Sequence, residues 1–486
     1  MQKVLWYYQW CQTIRLSVKK YMSSTLVVLR ETAETIFRQA LADCSVEQAF
    51  AREVKTATGE HGNKVLCFGK EAVELDRVKH IRIIAVGKAS AAMLSALISR
   101  LQLDSSCDVA GILIAREIPS QTPPGFQCFA GGHPLPNEAS FAGARAALAM
   151  LNALREEESR ARDTLCFFLI SGGASAMMEL PLDPTISFAD TVAFHDALVH
   201  SGASIAEINC VRKHFSAVKG GRLAMAAKGI PSVSLLVSDV PPGNLDALGS
   251  GPTLPDTSTV DQCREIIARY PGLHQFPASV QRFFALPGLE ETPKPEEVTA
   301  RFLTLLSADD LAEAAQKRAN DLGFHTVIDN TCDDWDYRAA ADYLLGRLRI
   351  LRREHRRVCL ISSGEVTVEL PGANTDRCGE QQATRFGIGG RNQHFALYAA
   401  TLLDASDAST VVFSAGSDGI DGHSQAAGAI VDDQTLQRID SRANARRALD
   451  QFDSFPFLDD LGATIMTGPT GNNLRDLRIL LADLAS

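Results

Sequence analysis

The sequence predicts an α/β protein built on open, mostly parallel sheets, and two observations lead to that prediction. Short apolar runs of strand length alternate along the chain with longer stretches rich in alanine, leucine and arginine. Each apolar run is followed by glycine or polar residues, a pattern that favours buried parallel strands joined by helices. The 486-residue chain is also too long for one hydrophobic core, so we expect two or three domains.

The apolar runs predict strands, and the segments between them predict helices. In chain order the predicted strands are IRIIAV (81–86), AGILIA (110–115), LCFFLI (165–170), SVSLLV (232–237), FLTLLS (302–307), RVCLIS (357–362), TVVFSA (410–415) and GATIMT (462–467). The clearest helical stretches are ASAAMLSALISRL (89–101) and DLAEAAQKRANDLG (310–323). A proline-rich stretch, Ala285–Val298, is predicted to link a larger N-terminal part to a C-terminal part.

Composition limits the classes of function. The formal net charge of -10 argues against general nucleic-acid binding, because that needs a positively charged surface. No apolar run approaches the ~20 residues that cross a bilayer, so we expect no membrane partner. The 11 cysteines include no C-x-x-C pair and no cluster with zinc spacing, and Cys166 and Cys359 lie inside strand runs. We therefore expect a reducing compartment and no disulfide framework.

The first thirty residues differ from the rest of the chain. They contain Lys3, Arg15, Lys19, Lys20 and Arg30, with no acidic residue before Glu31. A basic, acid-free start resembles an organelle-targeting peptide, and a plain N-terminal extension is the alternative interpretation. We expect a cytoplasmic protein, with a mitochondrial location as the alternative.

Six of the predicted strands end in small residues accompanied by charged or polar ones. In open parallel sheets, ligands bind at these carboxyl ends. Glycine and serine turns expose N–H groups that can hold phosphate oxygens, lysine and arginine neutralise phosphate, and acidic side chains can hold Mg²⁺. Each turn alone could be an ordinary loop or cap, but together they predict a phosphoryl-transfer site. The turns are Gly87-Lys88, Ser171-Gly172-Gly173-Ala174-Ser175, Ser238-Asp239, Ser363-Gly364-Glu365, Gly416-Ser417-Asp418-Gly419 and Gly468-Pro469-Thr470-Gly471-Asn472.

Four cations lie close together in VRKHFSAVKGGRLA (211–224), namely Arg212, Lys213, Lys219 and Arg222. A solvated helix face is the ordinary interpretation of such a run, and a site for a polyanion is the alternative. Arg212 and Lys219 are seven residues apart and could share a helix face, so we expect these two to bind substrate or phosphate. Histidines near the glycine-rich motifs, such as His133, are expected to be structural.

Standard nucleotide and hydrolase motifs are missing from the sequence. Neither Gly-Lys pair continues into Ser or Thr as a P-loop would, and no G-x-G-x-x-G follows the first strand. No G-x-S-x-G or H-E-x-x-H occurs.

Seven longer segments of the chain form a set of motifs, namely AVGKAS, ISGGASAMMELP, VRKHFSAVKGGRLA, SDVPPGNLDALGSGPTLPD, GIGGRNQHFALYAA, SAGSDGIDGHSQAAGAIVD and TGPTGNNLRDL. Together they resemble the glycerate 2-kinase family, whose C-terminal part is called the MOFRL domain. The resemblance extends from about Glu31 to the C-terminus and implies an ATP- and Mg²⁺-dependent kinase that converts D-glycerate to 2-phosphoglycerate. It also implies a Rossmann-like domain of residues 31–290 and a MOFRL-type α/β domain of residues 299–486, after an extension of residues 1–30, with the active site in the cleft between the domains.

The resemblance assigns roles to particular residues. The motif lysine, aspartate and arginine fall on Lys88, Asp239 and Arg391, which we expect to be catalytic, and the motif glutamate falls on Glu365. The sequence departs from the family pattern at Ser363, where glycine is usual, at His394, where an acid is usual, and in GNNLRDL, where Gly-Thr-Asn-Val is usual. The expected substrate- or phosphate-binding residues are Ser171, Gly172, Gly173, Ser175, Arg212, Lys219, Glu365 and Asn392. The expected nucleotide-binding residues are Gly416, Asp418, Thr467, Gly468, Thr470, Gly471 and Asn472, and the expected Mg²⁺ ligands are Asp239 and Glu365.

Two alternative functions stay open. An oxidoreductase acting on hydroxypyruvate would need a nicotinamide-binding fingerprint, which the sequence lacks. A non-catalytic regulator that binds a phospho-sugar or nucleotide would need no acids at its phosphate loops, whereas Asp239, Glu365, Asp418 and Asp421 all follow predicted strands. Both a monomer and a homodimer are compatible with the sequence.

Overall fold

The computed structural model describes residues 24–59, 63–101, 107–241, 243–298, 301–370, 387–437 and 440–484. These residues form two compact units, one made of the chain up to Ser45 together with Ala308–Ser486, and the other of Val46–Ser307. The first is called the C-terminal unit below and the second the N-terminal unit.

The strands account for both sheets of the predicted α/β fold and for a small third sheet. They are β1 Val54–Thr58, β2 Lys64–Phe68, β3 Glu71–Glu74, β4 His80–Val86, β5 Asp108–Ala115, β6 Phe126–Ala130, β7 Thr164–Ser171, β8 Ser232–Val237, β9 Phe302–Leu306, β10 His325–Ile328, β11 Arg357–Ser363, β12 Thr410–Gly416, β13 Gly428–Asp432, β14 Thr464–Ile465 and β15 Asp476–Asp483.

Helices separate most of the strands. They are α1 Ser24–Asp43, α2 Val46–Glu53, α3 Ser90–Leu101, α4 Glu138–Glu156, α5 Glu158–Arg162, α6 Ala174–Met177, α7 Phe188–Val199, α8 Ile205–Phe215, α9 Arg222–Ala226, α10 Val260–Arg269, α11 Ala278–Phe284, α12 Ala308–Asp321, α13 Tyr337–Glu354, α14 Arg391–Leu402, α15 Ser441–Asp450 and α16 Ser454–Asp460. Short 3-10 helices cover Leu245–Ser250, Pro271–Gln275 and Ala405–Asp407.

The large sheet of the N-terminal unit is parallel throughout, as predicted. Its strand order is β6-β5-β4-β7-β8-β9, and every neighbouring pair runs parallel. Strand β7 is buried along its whole length and β4 along all but its first residue, which explains their nearly continuous apolar sequences. Counted from β4, the order is 3-2-1-4-5-6, the order of a Rossmann-like sheet. The order reverses between β4 and β7.

The register of this sheet aligns the ends of three neighbouring strands. Val86 of β4 pairs with Ile170 of β7, and Ser171 pairs with Val237 of β8. The turns that start at Gly87, Gly172 and Ser238 therefore leave the sheet side by side at its carboxyl edge.

The sheet of the C-terminal unit corrects the prediction of mostly parallel strands for this half of the chain. Its order is β10-β11-β15-β12-β13-β14, in which β10 and β11 are parallel and each of the other pairs is antiparallel. Residues 417–427 and 466–475 connect consecutive strands without a helix, and a connection of that kind turns the chain back rather than carrying it over to a parallel position. The α/β class itself is confirmed.

The unpredicted strand β15 lies between β11 and β12 and runs antiparallel to both. Strands β11 and β12 therefore point the same way, and their carboxyl ends meet at one edge of the sheet. The predicted strand 462–467 is reduced to the two residues of β14. The small β1-β2-β3 sheet, also unpredicted, is antiparallel.

The units begin and end at different residues from the predicted domains. Helix α1 belongs to the C-terminal unit, where the ring centroids of Phe37 and Phe413 lie 4.9 Å apart and Arg30 Nη1 lies 2.6 Å from Asp432 Oδ2. Residues 24–30, predicted to be part of an extension, are therefore part of a packed helix. Residues 1–23 lie outside the described residues, so the targeting segment stays a prediction.

The proline-rich stretch Ala285–Val298 does not separate the two units, contrary to the prediction. Strand β9 follows it in the chain and pairs with β8 of the N-terminal unit. Within the stretch, the backbone carbonyl of Pro293 accepts a hydrogen bond from the Asp256 N–H at 2.9 Å. The stretch is therefore a packed part of one unit.

Two expectations drawn from the composition, on membrane-spanning segments and on buried cysteines, can be compared with the described residues. None of their helices is long and apolar enough to cross a membrane. Cys166 and Cys359 are fully buried in strands, as predicted for small core residues.

Candidate active site

The turn that carries Lys88 is fixed by the neighbouring turn after β7. The backbone N–H of Lys88 donates to the carbonyl of Gly172 at 2.8 Å, and the Ala89 N–H donates to Ser171 Oγ at 3.0 Å. Gly87 has φ +117°, a conformation that side chains rarely allow. Lys88 is exposed at the carboxyl edge, beside the point where the strand order reverses. The Ser171 hydroxyl therefore positions this turn rather than facing a ligand.

Two consecutive glycines allow three functional side chains to converge. A Cβ on Gly172 would overlap with the carboxyl group of Asp239, whose Cγ would lie only 2.6 Å away. A Cβ on Gly173 would lie 3.0 Å from His133 Cδ2 and 3.3 Å from Lys88 Cγ. Lys88, His133 and Asp239 thus lie over one glycine pair, and the structure brings together the predicted Lys88 and Asp239.

The sequence interpretation missed His133 as a member of this site. It follows β6, an edge strand of five residues that are exposed or half-buried and that do not form a clear apolar run. Recognising β6 as a strand would have placed His133 among the strand-end residues. Loss of water around the ring, followed by the positive charges of Lys88 and Arg116, lowers the pKa of His133. The carboxyl edge therefore combines the imidazole of His133, which is neutral at neutral pH, with two cations, Lys88 and Arg116, and one carboxylate, Asp239. This composition suits an anionic ligand.

Ser175 is tied into a chain of buried polar groups. Its Oγ lies 2.7 Å from Ser250 Oγ, and Ser250 Oγ donates to Asn209 Oδ1 at 2.9 Å. These contacts join α6, the 3-10 helix Leu245–Ser250 and α8. They hold the end of the glycine turn in place, which is a structural use of the Ser175 hydroxyl.

Lys219 is not available to a ligand, which corrects its predicted role. Its side chain is fully buried, and its Nζ donates to Glu179 Oε2 at 2.6 Å and to the Met178 carbonyl at 3.2 Å. His195 Nε2 lies 2.7 Å from the same Glu179 oxygen. Burial alone would raise the pKa of Glu179, but the charge of Lys219 and the contact with His195 lower it overall. Lys219 therefore stabilises the segment that follows the glycine turn.

Two more of the four clustered cations also have internal partners. Lys213 Nζ contacts Asp246 Oδ2 at 2.6 Å and Asp256 Oδ1 at 3.2 Å. Arg222 Nη1 donates to the Lys213 carbonyl at 2.9 Å. Most of the charge collected in residues 211–224 therefore neutralises acids and caps carbonyls inside the unit.

Arg212 differs from the other three cations. Its Nε is buried and has no hydrogen-bond partner in the described part of the chain. Burial lowers the pKa of its guanidinium, and the charge of Glu179 opposes that effect. An unused donor on a buried cation is costly unless a ligand or water completes it. Arg212 thus stays a candidate ligand, while Lys219 does not.

The C-terminal unit places Arg391 among acids at the carboxyl edge of its own sheet. Its Nε and Nη2 bind both oxygens of Asp476, at 2.5 and 2.9 Å, and Nη2 also lies 2.8 Å from Glu365 Oε1. Burial alone would lower the pKa of the guanidinium, but the hydrogen bonds to Asp476 and the charge of Glu365 raise it overall. The predicted residues Arg391 and Glu365 therefore lie together, and Asp476 is a partner that the sequence interpretation did not include.

A buried arginine network fixes the turn that carries Glu365. Arg475 donates to both oxygens of Asp333, at 2.6 and 2.8 Å, and Asp333 Oδ1 accepts the Glu365 N–H at 2.9 Å. Arg478 is fully buried and donates to the Gly364 carbonyl at 3.1 Å. These partners come from distant parts of the chain, so no local motif announces them.

Asn392 is a structural residue, which corrects its predicted role in substrate binding. It is buried, its Oδ1 accepts from Ser414 Oγ at 2.6 Å, and its backbone N–H donates to Asp421 Oδ1 at 3.1 Å. Asp421 also accepts the next backbone N–H of α14, that of Gln393, at 2.9 Å. Asp421 therefore caps the first turn of α14.

The glycine-rich loops predicted to bind nucleotide pack against each other. Thr470 Oγ1 donates to the Ser417 carbonyl at 2.6 Å, and Asn472 Nδ2 donates to the Cys44 carbonyl at 2.7 Å. Thr470 and Asn472 thus use their side chains to shape the loop. Gly468 and Gly471 have φ of +69° and +75° with open space around their Cα atoms, so backbone is accessible there.

Two further predicted members of these loops also hold the backbone in place. Asp418 Oδ1 accepts the Ile420 N–H at 3.1 Å, and Thr467 Oγ1 donates to the Gly468 carbonyl at 2.8 Å. A Cβ on Gly416 would lie 3.2 Å from Asp418 Oδ1 and 3.4 Å from Asp476 Oδ1. Gly416 therefore lets the Asp418 turn approach the acid that binds Arg391.

The described residues hold no group of three or more His, Cys, Asp or Glu side chains that could bind a metal. Glu365 pairs with Arg391, which makes it a poorer metal ligand than the sequence interpretation assumed. A cation at the N-terminal edge would have to take most of its ligands from phosphate oxygens and water, as Mg²⁺ commonly does.

Comparisons with known proteins agree with this architecture. A family model described as a domain of unknown function, DUF4147, matches residues 32–285, and the MOFRL family model matches residues 358–476. A glycerate 2-kinase from Pyrococcus horikoshii is 32% identical over 438 residues, covering 88% of this chain and 93% of the relative. A relative from Agrobacterium vitis, provisionally named hydroxypyruvate reductase, is 34% identical over 405 residues. The match covers 82% of this chain and 86% of the relative.

A solved structure shows the same overall likeness. The crystal structure of a glycerate kinase from Thermotoga maritima matches with a TM-score of 0.76 and 30% sequence identity, covering 94% of this chain and 99% of that one. Similarity of sequence and of structure thus extends over most of the length of these relatives. The chain therefore belongs to the glycerate 2-kinase family of enzymes.

Proposed function

We propose that this enzyme transfers the γ-phosphoryl group of ATP to the 2-hydroxyl of D-glycerate, giving 2-phosphoglycerate and ADP. The observation that carries the proposal is the convergence of exposed Lys88 and half-buried Asp239 over Gly172-Gly173, at the point where the strand order of the parallel sheet reverses. The names of the relatives support the choice of glycerate and of kinase chemistry.

In the proposed reaction the residues of the N-terminal unit act on the phosphoryl group and its acceptor. The glycerate hydroxyl oxygen forms a bond to the γ-phosphorus, and the bond from that phosphorus to the oxygen of ADP breaks. An oxygen of Asp239 takes the hydroxyl proton, as one aspartate does in other kinases. Lys88 neutralises the negative charge on the phosphoryl oxygens in the transition state.

The C-terminal unit supplies the other groups that the proposal uses. Arg391, whose guanidinium is oriented by Asp476, would bind an anionic group of a substrate through the N–H donors that Asp476 and Glu365 leave. The open backbone at Gly468 and Gly471 would lie along the nucleotide. Mg²⁺ would reduce the negative charge of the phosphates, and Asp239 is the carboxylate of the N-terminal edge that would hold it if another group takes the hydroxyl proton.

The test is release of ADP, followed by a coupled assay, when the purified enzyme is given ATP, Mg²⁺ and D-glycerate. Lys88→Ala should lower turnover about 100-fold, which is ~3 kcal/mol of transition-state stabilisation. Lys228→Ala, a change of an exposed lysine outside the site, serves as the control. Wild-type enzyme that releases no ADP, or Lys88→Ala within threefold of wild type, would overturn the proposal.

The same enzyme preparation tests the alternative that the name of the Agrobacterium vitis relative raises. Oxidation of NADH or NADPH by hydroxypyruvate, without release of ADP from ATP and glycerate, would identify a reductase instead. Phosphorus NMR of the kinase product separates 2-phosphoglycerate from 3-phosphoglycerate.

A further inference from the structure

His133 occupies a position at the carboxyl edge that the proposed mechanism does not use. It follows β6, and its Cδ2 would lie 3.0 Å from a Cβ on Gly173, the residue whose missing side chain also leaves room for Lys88. The residue is exposed to solvent as a whole, while neighbouring atoms surround part of its ring. The imidazole and the lysine stem are therefore neighbours over the same glycine.

The imidazole does not hold its own loop together. Contacts of other residues do so: the Gly132 N–H donates to Ser140 Oγ at 3.0 Å, and Asn137 Nδ2 donates to the Ala130 carbonyl at 2.9 Å. Asn137 and Ser140 also cap α4 reciprocally. His133 itself makes no hydrogen bond with any residue that the structure describes. Its ring nitrogens are thus not required for the fold of this loop.

The surroundings of the ring favour a neutral hydrogen-bonding group beside an anion. The charged groups that lower the pKa of His133 are Lys88 and Arg116, and both are positive. Their charges disfavour a protonated imidazole and attract a negatively charged ligand to the same place. A neutral imidazole keeps one N–H donor and one acceptor nitrogen.

We propose that His133 is a substrate-binding residue whose imidazole N–H donates a hydrogen bond to an anionic oxygen of the ligand held beside Lys88. The oxygen belongs to the carboxylate of glycerate or to the phosphoryl group, because both present the same acceptor chemistry. The inference rests on the proposed function, and it adds a specific ligand contact from the loop after β6.

The experiment measures kcat and the KM for each substrate in wild type, His133→Ala, His133→Asn and His133→Gln, with His274→Ala as an exposed-histidine control. Loss of one hydrogen bond to a charged group should lower kcat/KM about 10- to 100-fold in His133→Ala. An amide at the right reach should restore part of the loss, and whether Asn or Gln does so identifies the nitrogen that donates. A rise confined to the KM for D-glycerate identifies the carboxylate, and a fall in kcat or a rise in the KM for ATP identifies the phosphoryl group.

His133→Ala with kcat and both KM values within twofold of wild type would overturn the inference. So would a lowered melting temperature accompanied by unchanged kinetics, because that combination indicates a purely structural residue. Should His133→Ala fail to fold, the Asn and Gln variants carry the same comparison.

A second measurement separates this inference from the proposed function. If the wild type releases no ADP with glycerate, the activity proposal fails while the anion contact can still be measured by the rise in melting temperature that inorganic phosphate produces. A smaller rise in His133→Ala than in wild type and His274→Ala would support the contact. An equal rise in all three proteins would overturn it.

Discussion

Replacing Gly172 with alanine should move the Asp239 carboxylate without unfolding the protein. A Cβ at this position would lie 2.6 Å from Asp239 Cγ, whereas carbon atoms in contact normally stay about 3.5 Å or more apart. The carboxyl group must therefore shift by about 1 Å. A misplacement of about 1 Å in a reacting group can cost 10²-fold in rate, so we expect turnover to fall about 100-fold, or ~3 kcal/mol.

The assay pairs ADP release with thermal melting. The backbone φ of Gly172 is outside the left-handed region, so alanine meets no conformational obstacle there and melting should change little. Gly288→Ala is the matched control, because its Cβ would meet no atom within 4 Å. Both measurements should stay near wild type in the control. A Gly172→Ala enzyme with turnover within threefold of wild type would refute the reasoning that the position of Asp239 limits the reaction.

Three further substitutions test other parts of the structure. Arg391→Lys keeps the charge but loses the fork that binds both oxygens of Asp476, so kcat/KM should fall at least about tenfold; near-normal kinetics would indicate a general electrostatic role. Lys219→Met leaves the buried carboxylate of Glu179 without its cation, and urea denaturation should show a loss of about 3–5 kcal/mol; unchanged stability would contradict the buried pair. Burial and the nearby charge of Asp476 raise the pKa of Asp421 from 3.8 to about 6. The native state therefore binds the proton more tightly than the unfolded chain, and the free energy of unfolding should fall as pH rises between about 4 and 6. Asp421→Asn should flatten that dependence in urea titrations, and an unaltered slope would show that another group causes it.

The parallel sheet was predictable from the sequence because its strands are buried on both faces. A strand of that kind must be apolar nearly throughout, so β4, β7 and β8 stand out as continuous runs followed by glycine or serine. Because parallel strands end at one edge, the run ends also indicated which residues would meet. Lys88 and Asp239 lie together for that reason.

The edge strand β6 carries a different signal, and His133 was missed with it. Each of its five residues is exposed or half-buried, so apolar and polar residues are mixed and the run is short. The strand is recognisable only once β5 is known to need a partner on that side. Edge position in the sheet, rather than any property of His133 itself, explains the omission.

Partners of buried charges could not be predicted, because the sequence shows where charges are but not which ones meet. Lys219 and Glu179 are 40 residues apart and come together only when α6 and the loop after α8 fold onto the same core. Arg475 and Asp333 are 142 residues apart. A cluster of cations in the sequence therefore looked like a ligand site, although three of its four members bind acids or carbonyls within the protein.

The course of the chain through the two units has a consequence for how the protein is made. Helix α1 leaves the ribosome long before the residues that it packs against are synthesised, since Phe37 of the helix contacts Phe413 far along the chain. At ordinary rates of synthesis that interval is on the order of tens of seconds. During it, the buried residues Leu26, Leu29 and Phe37 lack α12, β12 and β15, which α1 contacts in the folded unit, while Val46–Ser307 is already synthesised.

Because α1 belongs to the C-terminal unit, we expect shortened chains that lack it to be less soluble when expressed. A polypeptide starting at Ala308 lacks α1, and the apolar surface around Phe413 that the helix covers would face water. Joining residues 24–45 to Ala308 through a flexible linker would restore the missing cover. The C-terminal unit is thus one discontinuous domain, formed by two segments of the chain that are far apart in sequence.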